Sequence, residues 1–140
     1  MIREYRHEDV EAIFRINKES FDRPQPNVGL LSEIVESNNK TWVAEVDRKV
    51  VGFLISSKTF SGHIYNIAVN KNYRGQGIGT ALLKQFEEFY SKEFSHLWLL
   101  VHMENPAQKL YFDMGYRVID VKKDYYYPDQ HALVMVKQSS

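Results

Sequence analysis

At 140 residues, 44% hydrophobic and 26% charged, the chain has the length and composition of one globular domain spanning 1–140. Lys and Arg together number 18, as do Asp and Glu, so there is no global basic footprint for nucleic acid. The absence of cysteine excludes disulfides, cysteine-bound zinc and a thiol nucleophile. With no apolar run of membrane-span length and no signal-peptide stretch at the N-terminus, a cytoplasmic protein is expected.

Ile2 to Tyr5 reads as a first strand, and Asp9 as the cap of the helix that follows. Val10, Ile13, Phe14, Asn17 and Phe21 fall at helical spacing on one stripe. Pro24 and Pro26 break that helix, and a second one is predicted from about Val28 to Glu36. Strands follow at Thr41–Val46, Val50–Ser57 and His63–Val69, with turns at Asp47-Arg48-Lys49 and Ser61-Gly62. Period-2 alternation puts His63, Tyr65 and Ile67 on one face of the third of these. A third helix, Ala81 to Tyr90, carries Ile78, Ala81, Leu82, Phe86, Phe89 and Tyr90 toward the core. Leu97 to Met103 is the next strand. Asn105-Pro106 opens a short helix, with Ala107, Leu110, Tyr111 and Met114 inward and Gly115 as its stop. Tyr116–Val121 and Ala132–Val136 are the last strands, and the tail from Lys137 to Ser140 is expected to fray. The order β-α-α-β-β-β-α-β-α-β-β, with three consecutive strands lacking helices between them, predicts an α+β fold built on a mixed, mostly antiparallel sheet.

The feature richest in chemistry is Tyr73-Arg74-Gly75-Gln76-Gly77-Ile78-Gly79-Thr80, between a strand and a helix. A helix N-terminus offers unpartnered N–H groups and the positive end of the macrodipole. Glycines at 75, 77 and 79 let an anion approach the main chain with no Cβ in the way. No lysine follows Gly79, so this is not a P-loop; Thr80 stands where a dinucleotide fingerprint needs its third glycine.

Arg74, Gly77 and Gly79 fit the pattern Arg/Gln-x-x-Gly-x-Gly/Ala, which resembles the acetyl-CoA pyrophosphate loop of the GNAT N-acetyltransferases. The resemblance covers nearly the whole chain. Its further carriers are His63 to Val69, Val101 to Asn105, Leu110-Tyr111-Phe112-Asp113-Met114-Gly115-Tyr116 and Lys122 to Tyr127. Within the superfamily the chain is similar to the ribosomal-protein alanine N-acetyltransferases and the N-terminal acetyltransferases. That likeness implies acetyl-CoA as the acetyl donor, a GNAT fold, no metal, and direct transfer to a primary amine, first of all a peptide or protein α-amine. It implies main-chain contacts with the pantetheine arm from the strand Ile67-Ala68-Val69, a pyrophosphate held by Arg74, Gly75, Gln76, Gly77, Ile78, Gly79 and Thr80, and a cofactor contact from Asn105, with Glu104 as its alternative. Tyr111 would be the general acid to the leaving thiolate, although a core-packing role fits the same stripe. Phe21, Tyr65, Tyr125 and Tyr126 would line the amine side.

One element of the family pattern is missing. The strand carboxylate that would act as base falls on Leu100, or on Leu99 if the gap is placed differently. His63, His102 or a water relay could take the proton instead. Two other functions stay open: transfer to a small amine, and a non-catalytic acyl-CoA-binding module that dispenses with a base.

Overall fold

A computed structural model describes residues 1–138. Seven strands form one sheet in the order β1-β2-β3-β4-β5-β7-β6. They are β1 (Ile2–Glu4), β2 (Lys40–Val46), β3 (Lys49–Ser57), β4 (Gly62–Val69), β5 (His96–His102), β6 (Arg117–Tyr127) and β7 (Gln130–Gln138). The connections β2–β3, β3–β4 and β6–β7 are too short for a crossover, so those pairs are antiparallel. Among the described residues only β4 and β5, joined through a helix, run parallel. The expected mixed, mostly antiparallel sheet is therefore what forms.

Among the described residues four α-helices cover the two faces: α1 (Val10–Ser20), α2 (Asn27–Val35), α3 (Ile78–Tyr90) and α4 (Gln108–Asp113). Ile13 and Ile16 of α1 and Leu30 and Ile34 of α2 bury against Val43, Phe53, Ile55 and Ala68. On the opposite face Leu82, Leu83, Phe86 and Tyr90 of α3, with Tyr111 of α4, bury against Leu54, Ile64, Leu97, Leu99 and Met135. Each fully buried Leu, Ile or Phe contributes roughly 1.5–3 kcal/mol.

Several local expectations are corrected. Asp9 does not cap α1. It closes a preceding 3-10 turn by accepting the Arg6 N–H at 2.6 Å, and it holds Arg3 through two bonds at 2.8 and 3.1 Å. On α3 the inward stripe includes Leu83, while Phe89 lies at the rim, exposed but edge-on to Trp42. The short helix starts at Gln108, because Asn105 and Pro106 form a turn ahead of it. Strand β6 runs on to Tyr127, so Tyr125 and Tyr126 stand on a strand rather than in a loop. Lys137 does not fray: it pairs with Leu97 across the sheet and with Glu87 at 3.0 Å. Ser139 and Ser140 lie outside the described residues.

The bend expected at Ser61-Gly62 has a packing cause. A Cβ on Gly62 would stand 2.6 Å from Leu97 Cδ2 and 2.8 Å from Tyr90 Cβ. Gly62→Ala is expected to destabilise the protein by about 2 kcal/mol, the usual cost of overpacking, because β4 or α3 must shift. Urea unfolding checks this; an unchanged midpoint would show that Tyr90 and Leu97 move aside freely.

Candidate active site

The site is built on an interruption of the sheet. Strand β4 pairs with β5 only through Gly62–Leu97, His63–Trp98 and Ile64–Leu99. Opposite β3, the register shifts after Ile64: Ser56 pairs with Ile64, but Ile55 pairs with Asn66, leaving Tyr65 as the extra residue of a β-bulge. Bulges increase twist and end pairing. Beyond this one the two strands part, and among the described residues β4 from Tyr65 to Val69 has no strand partner on its β5 side. The Asn70 N–H bonds to Val51 O, toward β3. Alternation then turns the main-chain groups of Ile67 and Val69 toward the open side.

The bulge also corrects the face assignment. Ile64, Ile67 and Val69 pack on the α3 side, whereas Asn66 faces α1 and meets Asn17 at 3.3 Å. His63 and Tyr65 share a face, but Ile67 lies on the other. On β5, Leu97, Leu99 and Val101 are buried on the α3 side. Leu100 therefore belongs with Trp98 and His102 on the His63 face, and Leu99 is core. No residue of β4 or β5 is acidic.

At the far end of the opening β4 runs through a 3-10 turn, Lys71–Tyr73, into the glycine loop. Gly75 and Gly77 have φ of +77° and +81°, a region that L side chains rarely adopt, and a Cβ on either would meet nothing within 4 Å. These two glycines serve the turn and leave an open cradle. Gly79 differs from the expectation. Its φ is ordinary, and a Cβ there would approach Leu110 Cδ2 at 3.2 Å, so it serves the close approach of α3 and α4. The first helical bond of α3 runs from Ala81 N–H to Gly77 O. The N–H groups of Ile78, Gly79 and Thr80 precede it and have no acceptor within the helix. Arg74 Nε donates to Val69 O at 3.0 Å and straps the loop to the end of β4; Gln76 is exposed.

Tyr111 is 4% exposed, in the α3-side core beside the opening. Burial, helped by nearby Tyr126, holds its phenol well above the ordinary tyrosine range, so it is a protonated donor at any physiological pH. Asn105 Oδ1 accepts the Ala107 N–H at 2.8 Å, so its carbonyl is committed to its own turn. Glu104 is exposed, and its N–H donates to His102 Nδ1 at 3.0 Å.

The two histidines differ sharply. His102 accepts that N–H on Nδ1, so Nε2 carries its proton and donates to Gln130 Oε1 at 2.6 Å. Both nitrogens are engaged, leaving no lone pair for a substrate. His63 is buried, stacked on Trp98 with ring centres 4.0 Å apart, and meets the Tyr65 ring at 4.7 Å. Burial lowers its pKa to about 4, so it is neutral at pH 7.

This has a consequence for stability. The unfolded chain protonates His63 near pH 6.5, whereas the folded chain resists until about pH 4. The unfolded state thus binds more protons between those values, and stability falls as pH drops through that window. His63 is expected to account for about 2 kcal/mol lost between pH 7 and pH 5. Denaturant titrations at both pH values on wild type and His63→Phe check this; equal acid losses in the two proteins would refute the assignment.

Residues far apart in the chain also meet. Arg23, in the α1–α2 connection, sits 4.1 Å from the centre of the Tyr127 ring. Tyr126 contacts His102 at 5.2 Å and Tyr125 at 5.0 Å. Phe21 is half-buried and packs on the α1-side core. Sequence reasoning missed Trp98, Ser57, Gln130 and the Arg23–Tyr127 contact. Alternation from Leu100 would have found Trp98; the other contacts carry no local signal.

The Acetyltransferase (GNAT) family matches residues 5–116. An uncharacterized N-acetyltransferase of Methanocaldococcus jannaschii is 36% identical over 99% of this chain and 91% of that protein. An N-alpha-acetyltransferase of Sulfurisphaera tokodaii is 32% identical over 96% of this chain and 90% of its own length. The crystal structure of the ribosomal-protein-S18-alanine N-acetyltransferase from Escherichia coli superimposes with a TM-score of 0.90. It is 24% identical and is matched over 100% of this chain and 94% of that one.

Proposed function

The chain belongs to the acetyltransferase (GNAT) family and is an N-acetyltransferase, and from that premise we propose that it moves an acetyl group from acetyl-CoA to the α-amine of a peptide or protein. The observation that carries this reading is the unpaired β4 edge at Ile67–Val69. It leads into a left-handed glycine cradle at one end and lies beside a buried tyrosine donor.

The residues present fit the donor. The open space at Gly75 and Gly77 and the uncommitted N–H groups of Ile78, Gly79 and Thr80 suit a pyrophosphate. The main-chain groups of Ile67 and the Val69 N–H, which have no strand partner among the described residues, can pair with an amide-bearing arm as a strand would, while Arg74 holds Val69 O. Acetyl-CoA supplies the acetyl group already activated as a thioester. The neutral amine would form the new C–N bond as the C–S bond breaks, and the surplus proton on its nitrogen would leave to solvent. The Tyr111 O–H would give its proton to the departing sulfur and recover one from solvent. His63 Nε2 accepts a hydrogen bond from the amine and orients its lone pair. His63, with its pKa lowered to about 4, does not deprotonate an ammonium of pKa near 8; the amine binds as the neutral fraction that its own titration in solvent supplies.

Two points favour an α-amine. With no carboxylate on β4 or β5, an amine that is partly neutral at pH 7 loses least; α-amines titrate near 7.7–8.0, lysine near 10.4. The Sulfurisphaera relative is also named for α-amine acetylation.

Thiol release should be measured with acetyl-CoA and a panel of N-terminal peptides, internal-lysine peptides and polyamines. Turnover on the peptide α-amines is expected, with a pH limb near 8. Turnover on polyamines alone would overturn the acceptor assignment. Tight CoA binding with no turnover on any amine would favour an acyl-CoA-binding module.

A further inference from the structure

Ser57, at the end of β3, has three polar neighbours. Thr59 Oγ1 lies 2.8 Å from its Oγ, the Thr59 N–H lies at 3.3 Å, and His63 Nδ1 lies at 3.3 Å. A hydroxyl has one proton to give and two lone pairs to offer. Bonds donated by O–H are short, about 2.7–2.8 Å, whereas those donated by N–H run longer, to about 3.2 Å. The 2.8 Å contact suits a bond donated by either hydroxyl, whereas 3.3 Å is long for an O–H donor, so the contact with Nδ1 reads as an N–H given to Ser57, which leaves the Ser57 proton for Thr59 Oγ1. His63 then carries its proton on Nδ1, and Nε2 keeps the lone pair.

The surroundings lock this arrangement. Trp98 stacks on the imidazole at an interplanar angle of 23° and donates its Nε1–H to Thr59 O at 2.8 Å. One side chain thus holds both the ring plane and the residue that receives the Ser57 proton. Nε2 lies across the ring from Nδ1. No protein group among the described residues bonds to it, and it is not among the fully enclosed polar atoms.

Resting on the reading of this opening as the transfer site, we propose that Ser57 and Thr59 are positioning residues that hold His63 in its Nδ1–H tautomer, so that Nε2 offers a lone pair to an N–H of the acceptor amine. The tautomer decides whether the amine can react. A ring protonated on Nε2 would donate into the amine's own lone pair, which must attack the thioester carbonyl. A ring protonated on Nδ1 binds the amine through an N–H and leaves that lone pair free.

Nitrogen-15 NMR of the labelled full chain at pH 7 reports the tautomer directly. The wild type should show His63 protonated on Nδ1. Ser57→Ala removes the acceptor and should admit the Nε2–H form. It should also lower kcat on a peptide substrate about tenfold with KM unchanged, because the amine still binds but is misoriented. Ser57→Thr keeps the hydroxyl and should restore both readouts. Thr59→Val, at a half-exposed turn where folding is not at stake, frees the Ser57 proton for Nδ1 and should shift the tautomer the same way.

A wild-type spectrum showing Nε2–H would overturn the inference whatever the activity. A shifted tautomer with unchanged kcat in Ser57→Ala would overturn the positioning role. A wild type that acetylates no amine would refute the transferase reading instead, and would be seen before any variant is made.

Discussion

Gly77→Asp is expected to weaken CoA binding about 10⁴-fold, a loss of about 5.5 kcal/mol. Two costs combine. At φ +81° an L residue is strained by roughly 1–2 kcal/mol, although aspartate tolerates that region better than most. The larger cost is electrostatic: a carboxylate about 4 Å from a phosphate at an effective dielectric near 20 is repelled by about 4 kcal/mol. Gly77→Ala separates the two, since it brings the strain without the charge and should cost only about tenfold. Calorimetry with CoA on both variants checks the ranking. Equal losses would mean that the loop's backbone shape matters and that no phosphate lies against it. Undiminished affinity in Gly77→Asp would remove this loop from the site.

Tyr111→Phe is expected to lower kcat about 10²-fold, near 2.7 kcal/mol of transition-state stabilisation, with CoA affinity nearly unchanged. The variant keeps the ring in the α3-side core and removes only the oxygen. Among the described residues no protein group bonds to that oxygen, so its loss should leave the thermal midpoint where it was. A packing residue would give the opposite pattern, with altered stability and intact turnover. Because burial and Tyr126 hold the phenol above its ordinary range, the wild type should also show no falling limb from Tyr111 up to pH 10. A single-turnover rate unchanged by Tyr111→Phe would return Tyr111 to the core.

The reach of sequence reasoning followed the range of each interaction. Helix α3 was legible from Ile78, Leu82 and Phe86 because a 3.6-residue period needs only near neighbours. The left-handed turns at Gly75 and Gly77 were legible because glycine spacing reports local backbone conformation. Gly79 looked equivalent to them but answers to Leu110, thirty-one positions later in the chain. Tyr125 and Tyr126 read as loop because Asp124 and Pro128 interrupt the apolar pattern, yet hairpin pairing through Tyr127 and Gln130 keeps them extended.

Element order, the mixed sheet and the position of the glycine loop were therefore settled by local periodicity, turn chemistry and the shortness of the connections. The working geometry was not. The Tyr65 bulge, the parting of β4 from β5, the choice of Leu100 over Leu99 and the contrast between engaged His102 and open His63 all depend on register. Register is set by which buried faces must meet across strands far apart in the chain, and a one-residue shift turns every later side chain to the other face. No window of sequence contains both strands, so only their pairing in the folded chain could fix it.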